Sequence, residues 1–139
     1  MVVNRDCRRF YDEGEDFWPK RYAIWGRLVA QQPGQVAYSI IDAKAVGRFM
    51  PPVFPGVKAD SLAELARLLG LDVPAFLRTL NDYNTSCRSG NFDHTVLDDC
   101  HTDGLLPPKT HWARPIDTAP FYACQFVGGG GDGLGFVHA

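Results

Sequence analysis

At 139 residues and 45% hydrophobic, the chain suits one globular domain with a real core, since a domain of that size buries about two thirds of its unfolded surface. Its 14 basic and 16 acidic residues give a net charge of -2, and neither sign forms a block, which excludes a nucleic-acid surface and a polybasic membrane patch. No apolar run approaches the roughly 18 residues that a membrane helix needs, so no membrane insertion is expected.

In chain order, Val2 to Val3 and Arg9 to Tyr11 read as two short strands around a turn at Asn4 to Cys7. From Pro19 to Gln32 the pattern is helical. Trp18, Tyr22, Trp25 and Val29 fall in one stripe, and Pro33-Gly34 stops the helix. Val36 to Ile41 is a β-rich run ended by Asp42. Pro51, Pro52, Pro55 and Gly56 mark a stiff loop. Ser61 followed by Glu64 is a capping box that opens a helix through Leu69, with Gly70 closing it. Asp72 is the next N-cap and Pro74 fits the first turn. Phe76, Leu77, Leu80 and Tyr83 then keep helical spacing up to Ser89-Gly90, so the two helices form a hairpin. Residues 91–117 read as a long surface connection before the strand Phe121 to Val127. Short strands mixed with three helices, without regular alternation, predict an α+β fold: a small mixed sheet with flanking helices.

Cys7, Cys87, Cys100 and Cys124 are widely spaced and include no CxxC pair, which is read as reduced thiols of a cytoplasmic protein. His94, Cys100, His101 and His111 form the one metal-like grouping. Adjacent Cys100 and His101 rarely face one ion, so these are taken as polar loop residues and no metal is expected.

The run Val2-Val3-Asn4-Arg5-Asp6-Cys7-Arg8-Arg9-Phe10-Tyr11-Asp12-Glu13 resembles the "VVNRxGxRFxNE" motif in the capping domain of fumarate reductase and succinate dehydrogenase type flavoproteins. Cys7 stands where that family usually has glycine. The stretch from Ala59-Asp60-Ser61-Leu62 through Gly70-Leu71-Asp72 to Tyr83-Asn84, and Ala119-Pro120-Phe121-Tyr122-Ala123, are similar to further family motifs in the same order. Residues 14–35 look most like the tricarballylate dehydrogenase branch. The resemblance implies that the chain is a piece of a longer flavoprotein. In that reading it partners the parent's FAD-binding domain and a small carboxylic acid substrate, and is inactive alone.

Counting back from Gln31 and Gln32, Arg21 falls where the resemblance places the catalytic arginine that exchanges a proton with the substrate carbon while hydride passes to the flavin. A guanidinium serves as acid or base only in a dry site with a carboxylate relay. On a helical wheel Arg21 lies beside the Trp18, Tyr22, Trp25 and Val29 stripe, with Lys20 and Arg27 on the opposite side. Spacing alone equally describes a boundary arginine that packs its stem on Trp25 and pairs with Glu13, Glu15 or Asp16. Arg9 is a candidate substrate-binding residue because planar, bidentate donors suit carboxylates. Arg8 alternates with it along the presumed strand, so at most one of the two faces a site. Arg5 is weighed in the same way, and surface salt bridges account for all three.

Gly128, Gly130 and Gly133 satisfy GxGxxG, but no helix can follow in the six residues that remain after them, so no cofactor is expected in this chain alone. The reading divides the chain into a capping domain, residues 1–127, and a flexible Gly-rich tail, residues 128–139. FAD belongs to the parent. Two alternatives stay open: a precorrin-oxidising flavoprotein of cobalamin biosynthesis, and a noncatalytic binding or assembly module on the same fold.

Overall fold

The computed structural model of the chain describes residues 1–46, 56–129 and 133–136, with the side chains of 18–23, 128, 129 and 133–136 outside that description. The elements are β1 (Val2–Asn4), α1 (Trp18–Ala30), β2 (Val36–Asp42), β3 (Val57–Ala59), α2 (Leu62–Leu68), α3 (Val73–Ser86), β4 (Cys87–Arg88), β5 (His101–Thr102), β6 (Phe121–Gly129) and β7 (Gly133–Phe136). The main sheet runs β1-β2-β6-β3, every pairing antiparallel, and β7 pairs with the end of β6 beyond β3. This is the expected α+β architecture, with an antiparallel sheet in place of the mixed one read from the sequence.

Strand alternation sorts the core onto two faces. Val3, Val36, Tyr38, Ile40, Phe121 and Ala123 meet α2 and α3 through Leu65, Phe76, Leu80 and Tyr83. On the other face Val2, Ala37 and Phe126 meet Trp25 and Val29 of α1. Tyr83, Phe76, Ile40, Leu65 and Leu80 are the large side chains most completely removed from water, so the α3 face is the thicker of the two layers.

Local chemistry sets the helix ends. Ser61 Oγ accepts from Glu64 N at 3.1 Å, and Glu64 reaches back to Asp60 N at 3.3 Å, one residue beyond the position a capping box predicts. After α2, Gly70 takes φ +70°, its N–H binds Arg67 O at 3.1 Å, and Leu71 N binds Ala66 O at 2.9 Å. This 6→1 and 5→2 pair is the Schellman stop. Asp72 Oδ1 accepts from Ala75 N at 2.9 Å and starts α3. At the far end of α3, Asn84 donates to Ile116 O at 3.0 Å and accepts from Ile116 N at 2.8 Å, fastening the helix to the chain that enters β6.

Several expectations are corrected. Arg9 to Tyr11 is not a strand: Asn4 N closes on Arg8 O at 2.9 Å, and the chain then turns inward with no strand to pair with. Leu77 does not join the α3 stripe. It lies about 100° from Phe76 around the helix and is 38% exposed. The 91–117 connection is not a surface loop throughout, because it carries β5, paired with β4, and buries Asp98, Cys100, Thr102, Ala113 and Ile116. Within the stretch expected as a tail, Gly128 and Gly129 extend β6, and Gly133–Phe136 returns beside it as β7. Pro51, Pro52 and Pro55 fall outside the described residues.

The turn after β1 closes with cysteine at the position where the resembled motif carries glycine. Asn4 Oδ1 accepts from Asp6 N at 2.9 Å and Arg8 N at 3.0 Å, and Cys7 adopts φ 62° in the left-handed region. Its thiol is 1% exposed and its carbonyl accepts from Thr79 Oγ1 of α3 at 2.6 Å. A β-carbon in that conformation costs roughly 1–2 kcal/mol, which tertiary burial of the sulfur offsets. Comparing Cys7→Gly with Cys7→Ala removes the sulfur in both but the strain in one only. Glycine is therefore expected to be the more stable variant by about 1 kcal/mol in urea unfolding. Equal or greater stability of the alanine variant would contradict the strain assignment.

Candidate functional site

The helix that carries Arg21 is held at both ends and along one side. Its side contact is aromatic: Phe10 and Tyr11 meet Trp25 edge-on at ring-centroid distances of 6.0 and 5.6 Å, while Val29 is fully buried. Such edge-to-face pairs each add about 0.5–1.5 kcal/mol beyond area burial. At the C-terminal end, Gln32 donates to Leu28 O at 3.1 Å and accepts from Asn4 Nδ2 at 3.0 Å, tying the last turn to β1. The chain then leaves the helix through Gly34 and Gln35, both at positive φ. Arg5 lies over that turn, so close that a β-carbon on Gly34 would meet its Nη1 at 2.9 Å.

The entry to α1 is clasped to the 91–117 connection. Asp12 Oδ1 accepts from Gly14 N at 2.8 Å and Thr110 N at 3.1 Å, and Oδ2 accepts from Thr110 Oγ1 at 2.8 Å. His111 Nδ1 lies 2.6 Å from Gly14 O. Gly14 is packed so closely that a β-carbon there would stand 2.2 Å from His111 O, which only glycine permits. Next to it Phe17, the N-cap residue of α1, rests against Trp112 at 5.3 Å. Nothing in the sequence pattern marks Asp12, Gly14, Thr110 or His111 as a unit, since Asp12 and Thr110 are 98 positions apart.

Arg21 is the fourth residue of α1, one helical turn before the buried Trp25. Its side chain, like those of Trp18 and Tyr22, lies outside the described residues. Arg27, on the opposite side by helical spacing, is exposed. Of the boundary-pair partners, Glu13 is already engaged.

That engagement belongs to Arg9. Its side chain is 3% exposed and that of Glu13 8%. Arg9 Nε donates to Glu13 Oε1 at 3.1 Å, Nη2 to Glu13 Oε2 at 2.5 Å, and Nη1 to Pro107 O, while the guanidinium lies 5.7 Å from the centre of the Tyr83 ring. Glu13 Oε1 also accepts from Val2 N at 2.8 Å. The residue read as available to a substrate carboxylate is thus turned into the interior with its donors taken. Arg8 is exposed, so only one of the two faces inward, although the segment is not the strand expected from the sequence.

Burial opposes ionisation of Glu13, but the Met1 ammonium, Lys109 and Arg9 outweigh it and hold the carboxyl below its usual range. Met1 N, which donates to Ile40 O at 3.1 Å, is itself pulled down to about 5 by burial. All four cysteines are free, and burial raises each thiol above its ordinary value, which keeps them protonated near neutral pH. Cys100, His101 and His111 of the metal-like grouping are separately engaged. Cys100 N donates to Asp98 at 3.1 Å, His101 stands 3.6 Å from Asp103, and His111 is held at Gly14. Among the described residues no group of three or more His, Cys, Asp or Glu side chains gathers to hold a metal, and no helix is long and apolar enough to cross a membrane.

Removing Arg9 leaves a buried carboxylate without its partner, so Arg9→Met should destabilise the fold by about 3–5 kcal/mol. Adding Glu13→Gln should restore much of that loss. Because the folded pKa of Glu13 lies below its unfolded value of about 4.3, its contribution is full above that pH and disappears as the pH falls through the folded value. Glu13→Gln should therefore flatten the acid limb of a plot of melting temperature against pH. An acid limb unchanged in Glu13→Gln would show that the pair does not couple to folding.

No family model matches the chain. The 3-oxosteroid 1-dehydrogenase of Mycolicibacterium smegmatis (strain ATCC 700084 / mc(2)155) is 27% identical to it over 151 aligned positions, covering 93% of this chain and 26% of that protein. The open conformation of a flavocytochrome c3 fumarate reductase superposes on it with a TM-score of 0.63 at 22% identity, covering 99% of this chain and 21% of that one. Both similar proteins are oxidoreductases by name, and the chain spans about a quarter of the length of the curated relative it matches. The fold of this chain is that of one segment of a flavocytochrome fumarate reductase.

Proposed function

We propose that the chain is the substrate-capping domain of an FAD-dependent oxidoreductase of the fumarate reductase type. Its parent would dehydrogenate a carbon-carbon single bond next to a carboxylate, with tricarballylate to cis-aconitate the nearest example. The observation that supports this reading is the superposition of almost the whole chain on one segment of a fumarate reductase. The motif order in the sequence points to the same family. The distant dehydrogenase relative favours a second reading of the substrate, a ketone-bearing polycyclic molecule in place of a carboxylic acid.

The glycine-rich segment does not fit a dinucleotide. Gly128 and Gly129 lie within β6 and Gly133 opens β7, so among the described residues no strand-to-helix glycine turn offers amides to a pyrophosphate. FAD would be held by another domain. This chain's part is the closure of the site and the proton. Arg21, on a helix fixed by Trp25, Val29 and the Asp12–Thr110 clasp, would be presented to the substrate carbon in a site from which closure excludes water.

Two outcomes follow. The purified 139-residue chain should be colourless and retain no FAD; a stoichiometric yellow complex would overturn the capping reading. In the flavin-bearing parent, Arg21→Lys should lower turnover by at least about two orders of magnitude, because it keeps the charge but loses the planar fork and the reach. Its flavin spectrum should be unchanged, and Arg27→Ala should have little effect. Wild-type turnover of Arg21→Lys would leave Arg21 as a boundary residue. Carboxylic acids and 3-oxosteroids offered to the same parent would decide between the two substrate readings.

A further inference from the structure

Beside the sheet face opposite α1 lies a cleft of about 260 Å³ that the proposed function does not use. It opens where the end of β2 meets the last turns of α3 and the 91–117 connection. Its floor is Ile40, Tyr83 and Ile116, all part of the α3-side core, and Phe92 and Trp112 form its walls.

The charges around it are unevenly matched. Asp42 is the one carboxylate among the cleft-lining residues, and it is saturated: Oδ1 accepts from Lys44 N at 3.0 Å, and Oδ2 accepts from Asp117 N at 3.0 Å, Thr118 N at 3.1 Å and the Lys44 ammonium. Lys44 is held in turn by Asp42 and Asp117. Lys109 and Arg114 also line the cleft, and neither belongs to an ion pair among the described residues. Lys109 is fixed by its backbone, whose N–H donates to Thr102 Oγ1 at 2.9 Å and whose carbonyl accepts from Thr102 N at 3.0 Å. The Arg114 guanidinium carbon lies over the Phe92 ring, 4.4 Å from its centre. Two cations outside any ion pair among the described residues thus line a cavity whose floor is aromatic and aliphatic, with the buried Glu13 carboxylate as an electrostatic neighbour of Lys109 alone.

We propose that this cleft binds a small organic anion, a carboxylate carried on an apolar or aromatic body. The carboxylate would sit between Lys109 and Arg114 and the body against Tyr83, Ile40 and Trp112. An inorganic anion would leave the apolar floor wet, and a neutral apolar molecule would leave both cations unneutralised. The combination of walls and charges therefore selects a ligand that has both parts. The inference stands apart from Arg21, which lies on the helix of the other face.

The test is a titration of the 139-residue chain with benzoate, benzamide and inorganic phosphate, followed by two-dimensional NMR. The Trp112 indole N–H, which donates to Asp93 O at 2.9 Å and Val96 O at 2.8 Å, is a direct reporter. Benzoate should shift that signal and the Ile40 methyls saturably, with a Kd of about 1–10 mM, a scale suited to so few heavy atoms. Benzamide and phosphate should bind at least about tenfold more weakly. Lys109→Met and Arg114→Met, singly and together, should weaken benzoate by a similar factor, whereas Arg21→Lys should leave benzoate binding unchanged. Should the double variant fail to fold, the single variants carry the comparison. Equal binding of phosphate or benzamide, no saturable shift, or loss of benzoate in Arg21→Lys alone would each overturn the assignment.

Discussion

The buried Arg9–Glu13 pair is the constraint on which the rest of the structure depends. It sits in the segment between β1 and α1, and its contacts run outward in three directions: hydrogen bonds to Val2 of β1 and to Pro107 in the distant connection, and a cation–π contact with the ring of Tyr83 in α3. Taking two charges out of water is costly, and their attraction repays it only where the remaining lone pairs and protons are also satisfied. Here they are, because one carboxylate accepts from both the guanidinium and a strand amide. The pair fixes the relation between the sheet, the third helix and the connection, and so sets the position from which α1 departs.

Around that centre the polar contacts act as clasps on chain segments that have little apolar surface of their own. Asp12 gathers Gly14 and Thr110, Asp98 accepts from Asp93 N, Cys100 N and Trp112 N, and Asp42 accepts from Asp117 N and Thr118 N. In each case one carboxylate gathers two or more backbone donors, and the Cys100 amide among them is buried. The 91–117 connection is ordered by these aspartates more than by burial of large side chains. It then lends its ordered side chains, Trp112 above all, both to the α1 entry through Phe17 and to the cleft on the other face.

What the sequence made legible was what is decided within a few residues. The capping residues Ser61, Glu64 and Asp72, the Gly70 stop, and the apolar stripes of α3 and β6 are all short-range signals, and the structure follows them. The misread parts depend on partners far away in sequence. Arg9 looks like any alternating surface arginine until Glu13 and the carbonyl of Pro107 close around it. Residues 91–117 are rich in turn formers, which conceals that Asp98 faces inward and accepts from three backbone amides. The glycines after Val127 read as a tail because glycine has no pattern of its own, yet the β6 backbone supplies a template on which Gly133–Phe136 pairs. Cys7 is the opposite case: it stands where the resembled motif has glycine, and the turn still closes with Cys7 at φ 62°.

In the proposed function, α1 is a platform that presents Arg21 to the reacting carbon of a bound carboxylic acid. The most direct measurement is a crystal structure of the flavin-bearing parent with a substrate-like carboxylic acid in its site. The predicted result is Arg21 turned toward the ligand, its guanidinium within hydrogen-bond distance of it, with the Arg9–Glu13 pair intact behind the helix. An Arg21 guanidinium paired on the surface with Glu15 or Asp16, and a ligand held wholly by other residues, would contradict it.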